Sequence, residues 1–491
     1  MTPRKLPRVL FILLMVCLPM LSAFASTVSA QTTAPSIVDA HTAQLRQQSH
    51  GSARLRFQSL FGLFVFVGIT WVWGQARRHR LPANWLTVFW GLVLMFVFAL
   101  FVLDTRPGAE FFSLMNDAVD KLLDYATTGA HFVFGDLVKE NVPVGIPVGD
   151  KDMGDIPAPT AYAHTGAYFA FNVLPTIIFF SSLCAVLYHI GIMQYCVQGL
   201  AWIMQKAMRT SGAETMSAAA NIFLGQTEAP LLVKPFIAGS TNSELMAIMV
   251  GGFANIASGV LGAYVNMLKD LVPDAAGHLI AANVISAPAS LLVAKLLLPE
   301  GGKPETAAGV KFQIDRIDAN TIDAASRGAI EGLTLSLNVA AMLICFIALV
   351  TMADDLLRIA GGWFGHPGIS LELIFGYIMS PVAWLLGLPW GDCRHVGELL
   401  GVKTVLNEFV AYLNMSTALN ANPNWISTRS AVITTYALCG FANFSSVAIQ
   451  IGGISGMAPT RRGDLSRLGI TAMFGGALAS FMTACVVGVL L

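Results

Sequence analysis

The run Gly225-Gln226-Thr227-Glu228-Ala229-Pro230 puts an amide, a hydroxyl and a carboxylate side by side in a mostly apolar neighbourhood. A charge held at the centre of a bilayer costs roughly 2.5–3.5 kcal/mol on insertion scales, so a carboxylate here needs a purpose. Gly225 and Pro230 bracket the run and argue against a continuous helix. Interrupted backbone at membrane depth is tolerated only where it is buried in protein or lines a wet cavity. Polar groups on such a break suggest a ligand site.

A second acid answers the first. Asn407-Glu408-Phe409 lies in another apolar, glycine-interrupted segment too short to span simply. The segments downstream of the two acids are alike: Gly252-Phe253-Ala254-Asn255-Ile256-Ala257-Ser258 after Glu228, and Gly440-Phe441-Ala442-Asn443-Phe444-Ser445-Ser446 after Glu408. A buried acid followed by a helix interrupted at Gly-Phe-Ala-Asn, twice over, is the trace of a duplicated transporter core.

The donor and acceptor inventory narrows the ligand. Gln226, Thr227, Asn443 and Ser446 both donate and accept, whereas ionised Glu228 and Glu408 only accept. The ligand therefore brings several donors, such as adjacent hydroxyls, and an amide-like edge. Neither motif contains an arginine, so a phosphorylated ligand would lack its usual cationic partners. A neutral, hydroxyl-rich solute with a ring fits, and Phe441 offers a surface for that ring.

The elements that must position these groups are membrane helices. Of 491 residues, 55% are apolar and 12% charged, with mean hydropathy +0.65. That is about half the ~25% charge of soluble proteins. Net formal charge is zero, which leaves no basic footprint for nucleic acid. The seven cysteines are scattered without metal-site spacing and read as small core residues.

Residues 1–30 resemble an export signal: Arg4, Lys5 and Arg8, an apolar core from Val9 to Leu21, and Val28-Ser29-Ala30 before the cleavage point. A polar exported segment, 31–55, follows. Spans are expected at about 56–75, 85–103, 167–193, 244–268, 278–298, 327–354, 428–453 and 467–490. Amphipathic or interfacial pieces are expected near Phe111–Leu137, 194–211 and 369–388, and re-entrant hairpins at 212–243 and 391–420. Arg77, Arg78 and Arg80, then Lys303, Lys311 and Arg316, then Arg461, Arg462 and Arg467 mark cytoplasmic loops by the positive-inside rule. Counting from these, hairpin 1 enters from inside and hairpin 2 from outside. The fold class is an all-α polytopic membrane protein with eight transmembrane helices and two re-entrant hairpins in inverted repeats. The mature N-terminus and the C-terminus fall on the exported side of a bacterial inner membrane.

Gly225-Gln226-Thr227-Glu228-Ala229-Pro230-Leu231-Leu232 and Asn407-Glu408-Phe409-Val410-Ala411-Tyr412 resemble the two signature motifs of the concentrative nucleoside transporter family, with Gly440-Phe441-Ala442-Asn443 in support. The likeness runs over 56–491. It implies a homotrimer in lipid. It also implies a scaffold (56–211, and 299–368 with span six) and a transport domain made of 212–298 and 369–491. By motif, Gln226, Thr227 and Glu228 would bind the nucleobase and Val260 would line its pocket. Glu408, Asn443 and Ser446 would hold the ribose, with Phe441 beside it. The family's sodium site would use the Asn221 side chain, the Leu224 and Ile256 carbonyls, and the side chain at Asn255. Here the chain departs from the family: Asn255 replaces Ser or Thr, and Ser258-Gly259 reverses the usual Gly-Ser order. Sodium and protons both stay open as coupling ion, with Glu228 or Glu408 the proton carriers in the second case. No other cofactor is expected.

The function so read is a cation-coupled nucleoside uptake symporter working by alternating access, and not an enzyme. The alternatives are a passive channel for polar solutes and an intramembrane hydrolase using paired carboxylates. Neither a Gly-x-Ser-x-Gly nor a His-Glu-x-x-His motif supports the last.

Overall fold

The computed structural model describes residues 51–76, 82, 84–138, 141–144, 161–164, 169–307, 318–363 and 368–491. The expected signal at 1–30, residues 31–50 of the exported segment, and the loop markers Arg77, Arg78, Arg80, Lys311 and Arg316 lie outside the described residues.

Long apolar runs become helices because, in lipid, each backbone N–H and C=O must find its partner within the segment. α1 (Ala53–Gln75) and α2 (Trp85–Asp104) are such runs, and Asn84 starts the second by accepting from the Leu86 N–H at 3.2 Å. Their outward faces leave Phe57, Phe64, Phe89 and Phe101 exposed, a surface suited to lipid. α3 (Arg106–Phe134) follows, with Asp117, Asp120, Lys121 and Asp124 interleaved among apolar positions. The proline- and glycine-rich loop after it holds one departure from an all-α reading, a two-stranded antiparallel ladder. Strands β1 (Asn141–Val144) and β2 (Ala161–His164) pair with Asn141 opposite His164. α4 (Phe169–His189) and α5 (Ile192–Met208) are bent by 76° around Gly191, whose φ of 91° only glycine adopts readily.

The first repeat begins with α6 (Gly212–Ala220) and unwinds at 221–228. A 3-10 turn, Ala229–Val233, and one short turn of helix, Lys234–Ile237, carry the chain back. An interrupted helix follows, α7 (Asn242–Ala254) and α8 (Ser258–Leu268), and then a continuous one, α9 (Ala275–Leu297). α10 (Thr321–Trp363) links the repeats. It is 43 residues long, well beyond the 327–354 expected from hydropathy. Its start is fixed by two bonds from Arg327 to Asp318, at 2.7 and 2.9 Å, and the guanidinium holds that carboxyl below its usual range. Gly328 and Gly332 let α10 ride on α4: a Cβ at either would sit 2.7–2.8 Å from the α4 backbone. Much of its apolar surface is unpacked, with only 12% of the span buried.

The second repeat follows the same order. α11 (Leu371–Leu385) turns by 117° into α12 (Trp390–Val405), and α13 (Glu408–Ala421) returns after a break of only Leu406-Asn407. Then come the interrupted pair α14 (Thr428–Leu438) and α15 (Phe444–Met457), and the long α16 (Arg462–Leu490). Among the described residues six helices are long and apolar enough to cross a membrane, and the two bent pairs raise this to as many as eight. The core lies where α7–α8, α9 and α16 meet, each more than four-fifths buried along its apolar stretch.

The two interruptions touch. Gly440 has φ 115°, and a Cβ there would stand 2.6 Å from the Phe253 carbonyl oxygen and 2.8 Å from that of Ala254. Both its conformation and its neighbours therefore require glycine. The breaks fall differently around the shared motif. In the first repeat Gly252-Phe253-Ala254 remains helical and the chain opens at Asn255. In the second it opens earlier, at Cys439.

Candidate substrate and cation site

Glu408 is the first residue of α13, where the free N–H groups of a helix start favour a carboxylate. It is 4% exposed and both oxygens are engaged. Oε1 accepts from the Tyr264 hydroxyl of α8 at 3.0 Å, and Oε2 accepts from Asn443 Nδ2 at 3.0 Å. Asn443 is at the same time the cap of α15, its Oδ1 accepting from the Ser446 N–H at 2.9 Å. Glu408, Asn443 and Ser446 are thus joined in one network, with half-buried Phe441 two residues upstream of the cap.

The tip of hairpin 1 is organised otherwise. Glu228 Oε2 accepts from the Gly225 N–H at 2.8 Å, a bond within its own loop, and the side chain stays accessible. Gln226 is buried and its Oε1 has no partner. A Cβ at Gly252 would meet Gln226 Cβ at 3.0 Å, which seats the tip on α7. The bare Gly453 of α15 makes room for the Thr227 methyl. Val260, 3% exposed, lies in the first turn of α8. The residues expected at the nucleobase therefore sit between the two interrupted helices.

The residues expected at the cation share this region. Asn221 donates to the Ser217 carbonyl at 3.0 Å, leaving its Oδ1 buried without a partner. A buried unpaired acceptor costs about 1–3 kcal/mol, and a cation would offset that. Ile256 is buried in the α7–α8 break and Leu224 is half-buried in the hairpin tip. Asn255 behaves as its longer side chain allows: its Oδ1 is turned to the Ser286 hydroxyl of α9, and its Nδ2 has no partner. An all-oxygen set of amide and carbonyl groups suits a hard monovalent cation. Of the four expected ligands, Asn255 is engaged by Ser286 and the Ile256 carbonyl by Asn283, while the Asn221 oxygen has no partner.

Three residues that the motifs do not contain hold the region together. Tyr264 binds Glu408 and stacks on Tyr412 with ring centroids 4.7 Å apart. Asn283 of α9 donates to the Ile222 carbonyl at 3.2 Å and the Ile256 carbonyl at 3.0 Å. It accepts from the Ile256 N–H at 3.0 Å and from Cys439 Sγ at 3.4 Å. One amide therefore ties the hairpin 1 tip to both interruptions. Lys403 of α12 is 1% exposed and binds two backbone carbonyls. Tyr264 and Asn283 are polar groups inside apolar helices, a signal that marks such residues as candidates. Lys403, by contrast, is a buried charge in a helix that also carries Asp392, Arg394 and Glu398. A cavity of about 240 Å³ lies elsewhere, at the base of hairpin 1, lined by Thr87, Arg209, Glu214, Lys295 and Glu300 but by none of the expected site residues.

A multi-pass helical membrane protein whose broken helices present polar groups to one another has the build of a secondary transporter. The family description "Na+ dependent nucleoside transporter N-terminus" matches residues 61–137, "Nucleoside recognition" matches 170–271, and "Na+ dependent nucleoside transporter C-terminus" matches 278–488. Sodium/nucleoside cotransporter 1 of Mus musculus is 40% identical over 445 residues, covering 88% of this chain and 63% of the relative. Solute carrier family 28 member 3 of Mus musculus is 39% identical, over 91% of this chain and 60% of the relative. The chain thus spans somewhat less than two thirds of these curated relatives. The solved structure of CNTnw in an inward-facing substrate-bound state is 39% identical, with TM-score 0.76, over 89% of this chain and 97% of that one. A doubly substituted CNTnw in an outward-facing state matches with TM-score 0.77 at 38% identity. The chain belongs to the concentrative nucleoside transporter family.

Proposed function

We propose that this protein is a cation-coupled nucleoside uptake symporter that works by alternating access, with sodium as the coupling ion. The observation that carries the reading is a pair of buried acceptors without partners, Gln226 Oε1 and Asn221 Oδ1, at the unwound tip of hairpin 1. The first suits a nucleobase N–H and the second a cation. In this reading Gln226, Thr227 and Glu228 read the base, with Val260 against it. Glu408, Asn443 and Ser446 hold the ribose, and Phe441 packs beside the sugar. Sodium sits among Asn221, Leu224, Ile256 and the neighbourhood of Asn255. The names of the relatives and the matched family descriptions favour sodium over protons.

Coupling arises from adjacency. Sodium binding to the unwound backbone at 221–224 and 255–256 orders the same segment that offers Gln226 and Thr227 to the substrate, so each ligand favours the other. The hairpins and α7–α9 and α14–α16 form the moving transport domain, while α1, α2, α4 and α10 form the scaffold. The exposed apolar face of α10 is suited to packing in a homotrimer within the lipid. The protein lies in the plasma membrane, the bacterial inner membrane, with hairpin 1 entering from the cytoplasmic side.

The test is radiolabelled uridine uptake into proteoliposomes under sodium and proton gradients imposed in separate runs. Uphill accumulation driven by sodium supports the reading. Accumulation driven only by protons would move the coupling to Glu228 or Glu408. Equilibration without accumulation would make the protein a channel, and release of a cleaved product would make it a hydrolase.

A further inference from the structure

Lys403 is a buried charge that the transport reading leaves without a task. It lies in the last turn of α12, five residues before Glu408, and its surroundings are fully packed. Its ammonium donates to the Ala437 carbonyl at 2.8 Å and the Cys439 carbonyl at 3.2 Å, and rides over the Phe481 ring at 5.9 Å from the centroid. Its hydrogen-bond partners are backbone oxygens rather than a carboxylate. Those oxygens belong to the end of α14, where the helix stops at Leu438 and its last carbonyls lose their intrahelical partners. This is also the negative end of the helix dipole.

A neutral side chain can also bond a helix carbonyl: the Gln450 amide of α15 donates to the Met249 carbonyl inside α7, at 3.1 Å. What lysine adds is a full positive charge, at a depth where charge is costly. The end of α7 shows the complementary arrangement. Around it stand Asn221, Asn255, Asn283 and Ser286, all neutral, with the Asn221 oxygen unpaired. One interrupted helix ends on oxygen ligands with no cation of its own, and the other ends on a lysine.

We propose that the Lys403 ammonium is a tethered counter-cation. It does for the second repeat what a diffusible cation does for the first, so that one coupling cation rather than two accompanies each nucleoside. The inference rests on the cation-coupled reading above. It assigns Lys403 a positioning role: the ammonium holds the α14 end in place beside Asn443 and Glu408 without any ion having to bind. Removing the charge while keeping the bulk should open to a sodium ion the Ala437 carbonyl and the second lone pair of the Cys439 carbonyl, whose first already accepts from the Ser480 hydroxyl at 2.6 Å.

The experiment compares wild type, Lys403→Met and Lys403→Arg. Two readouts are taken against sodium concentration: uridine uptake in proteoliposomes and thermal stabilisation of the purified protein. Wild type and Lys403→Arg should show sodium dependence with a Hill coefficient of about 1, and Lys403→Met should rise toward about 2 with a higher half-activating concentration. The charge moved per uridine should rise in the same variant. Stabilisation needs no transport, so it decides the matter even if Lys403→Met is inactive. A Lys403→Met protein with first-order sodium stabilisation like wild type overturns the proposal, as does a Lys403→Arg protein that behaves like Lys403→Met. Failure of the underlying reading looks different: wild type itself would then show no sodium dependence in either measurement.

Discussion

Hairpin 1 and hairpin 2 each bring one glutamate to a broken segment, and they hold it in opposite ways. Glu408 opens a helix after a two-residue break, and both its oxygens are taken by side chains from other elements, Tyr264 and Asn443. Glu228 lies in an eight-residue unwound tip, and among the described residues its side chain bonds to its own loop at Gly225 alone. At the bases the contrast reverses. Hairpin 1 is rooted in a buried cluster: Lys295 lies 2.6 Å from Glu214 and 3.4 Å from Glu300, and Ser211 donates to Glu244 at 2.6 Å. Hairpin 2 is tied at its base by Asp392, which accepts from the Ser427 and Ser430 hydroxyls at 2.8 and 2.6 Å in a partly exposed setting. Hairpin 1 is thus firm at the root and unfinished at the tip, while hairpin 2 is complete at the tip and lightly held at the root. The difference assigns labour. On the proposed reading, ligands would add bonds at hairpin 1, where acceptors are waiting, and exchange bonds at hairpin 2, where they are already made.

The largest effect should come from the roots. Lys295→Met leaves Glu214 buried without its cation, and breaking one side of a buried pair costs about 3–5 kcal/mol. Asp392→Asn, in a setting that water reaches, should cost about 1 kcal/mol or less. Thermal unfolding of the two purified variants measures this directly, and equal losses would erase the contrast between the bases.

At the tips, Glu408→Gln should be the more damaging change to transport. The new amide nitrogen faces a donor, Asn443 Nδ2 or the Tyr264 hydroxyl, and the charged acceptor proposed for ribose is gone. Losing charge-assisted bonds of about 1.5–3 kcal/mol predicts uridine uptake lower on the order of a hundredfold. Near-normal uptake by a correctly inserted protein would remove Glu408 from the site. Asn221→Ala acts on the other half. It deletes the waiting oxygen at hairpin 1, and half-activation by sodium should need roughly tenfold more of the ion, or about 1.4 kcal/mol. Uridine affinity at saturating sodium should change little. If uridine affinity falls at every sodium concentration alike, Asn221 supports the tip rather than the ion.

Much of this arrangement was legible in the residues themselves. A carboxylate in an apolar run is a site candidate whatever surrounds it, so Glu228 and Glu408 could be proposed without a structure. Gly225, Pro230 and the repeated Gly-Phe-Ala-Asn marked where helices break, because glycine and proline act on the backbone locally. What stayed hidden depends on which faces meet. Tyr264, Asn283 and Lys403 sit on helices other than the segments they tie together, and a helix seen alone does not say which neighbour its polar residue will touch. The length of α10 was underestimated because hydropathy ends where charge begins, whereas the helix continues through Asp354, Asp355 and Arg358. The small β1–β2 ladder is stabilised by pairing between distant segments, which local propensity reports poorly.

The smallest predicted effect is also the one that probes the chain's own departure from its family. Asn255 stands where the resemblance implies a shorter Ser or Thr, and its oxygen accepts from the Ser286 hydroxyl. Ser286 has a second acceptor within reach, the Asn283 carbonyl at 3.0 Å, so its bond to Asn255 is a preference between neighbours. Ser286→Ala removes the competitor while adding no bulk and leaving the Asn283 amide bonds to Ile222 and Ile256 intact. The Asn255 carbonyl oxygen is then free to rotate toward the unwound segment and serve as a fourth oxygen ligand. A single neutral hydrogen bond released in this way is worth about 0.5–1.5 kcal/mol, most of it offset by the lost serine contact. Half-activation of uridine uptake should therefore occur at sodium concentrations lower by a factor of about 3, with maximal uptake unchanged. A gain in apparent sodium affinity is hard to produce by damage, so it would tie Asn255 to the ion. A loss would instead show that the Asn255–Ser286 bond holds the break in its working shape, and would place the cation on Asn221 and the backbone carbonyls alone.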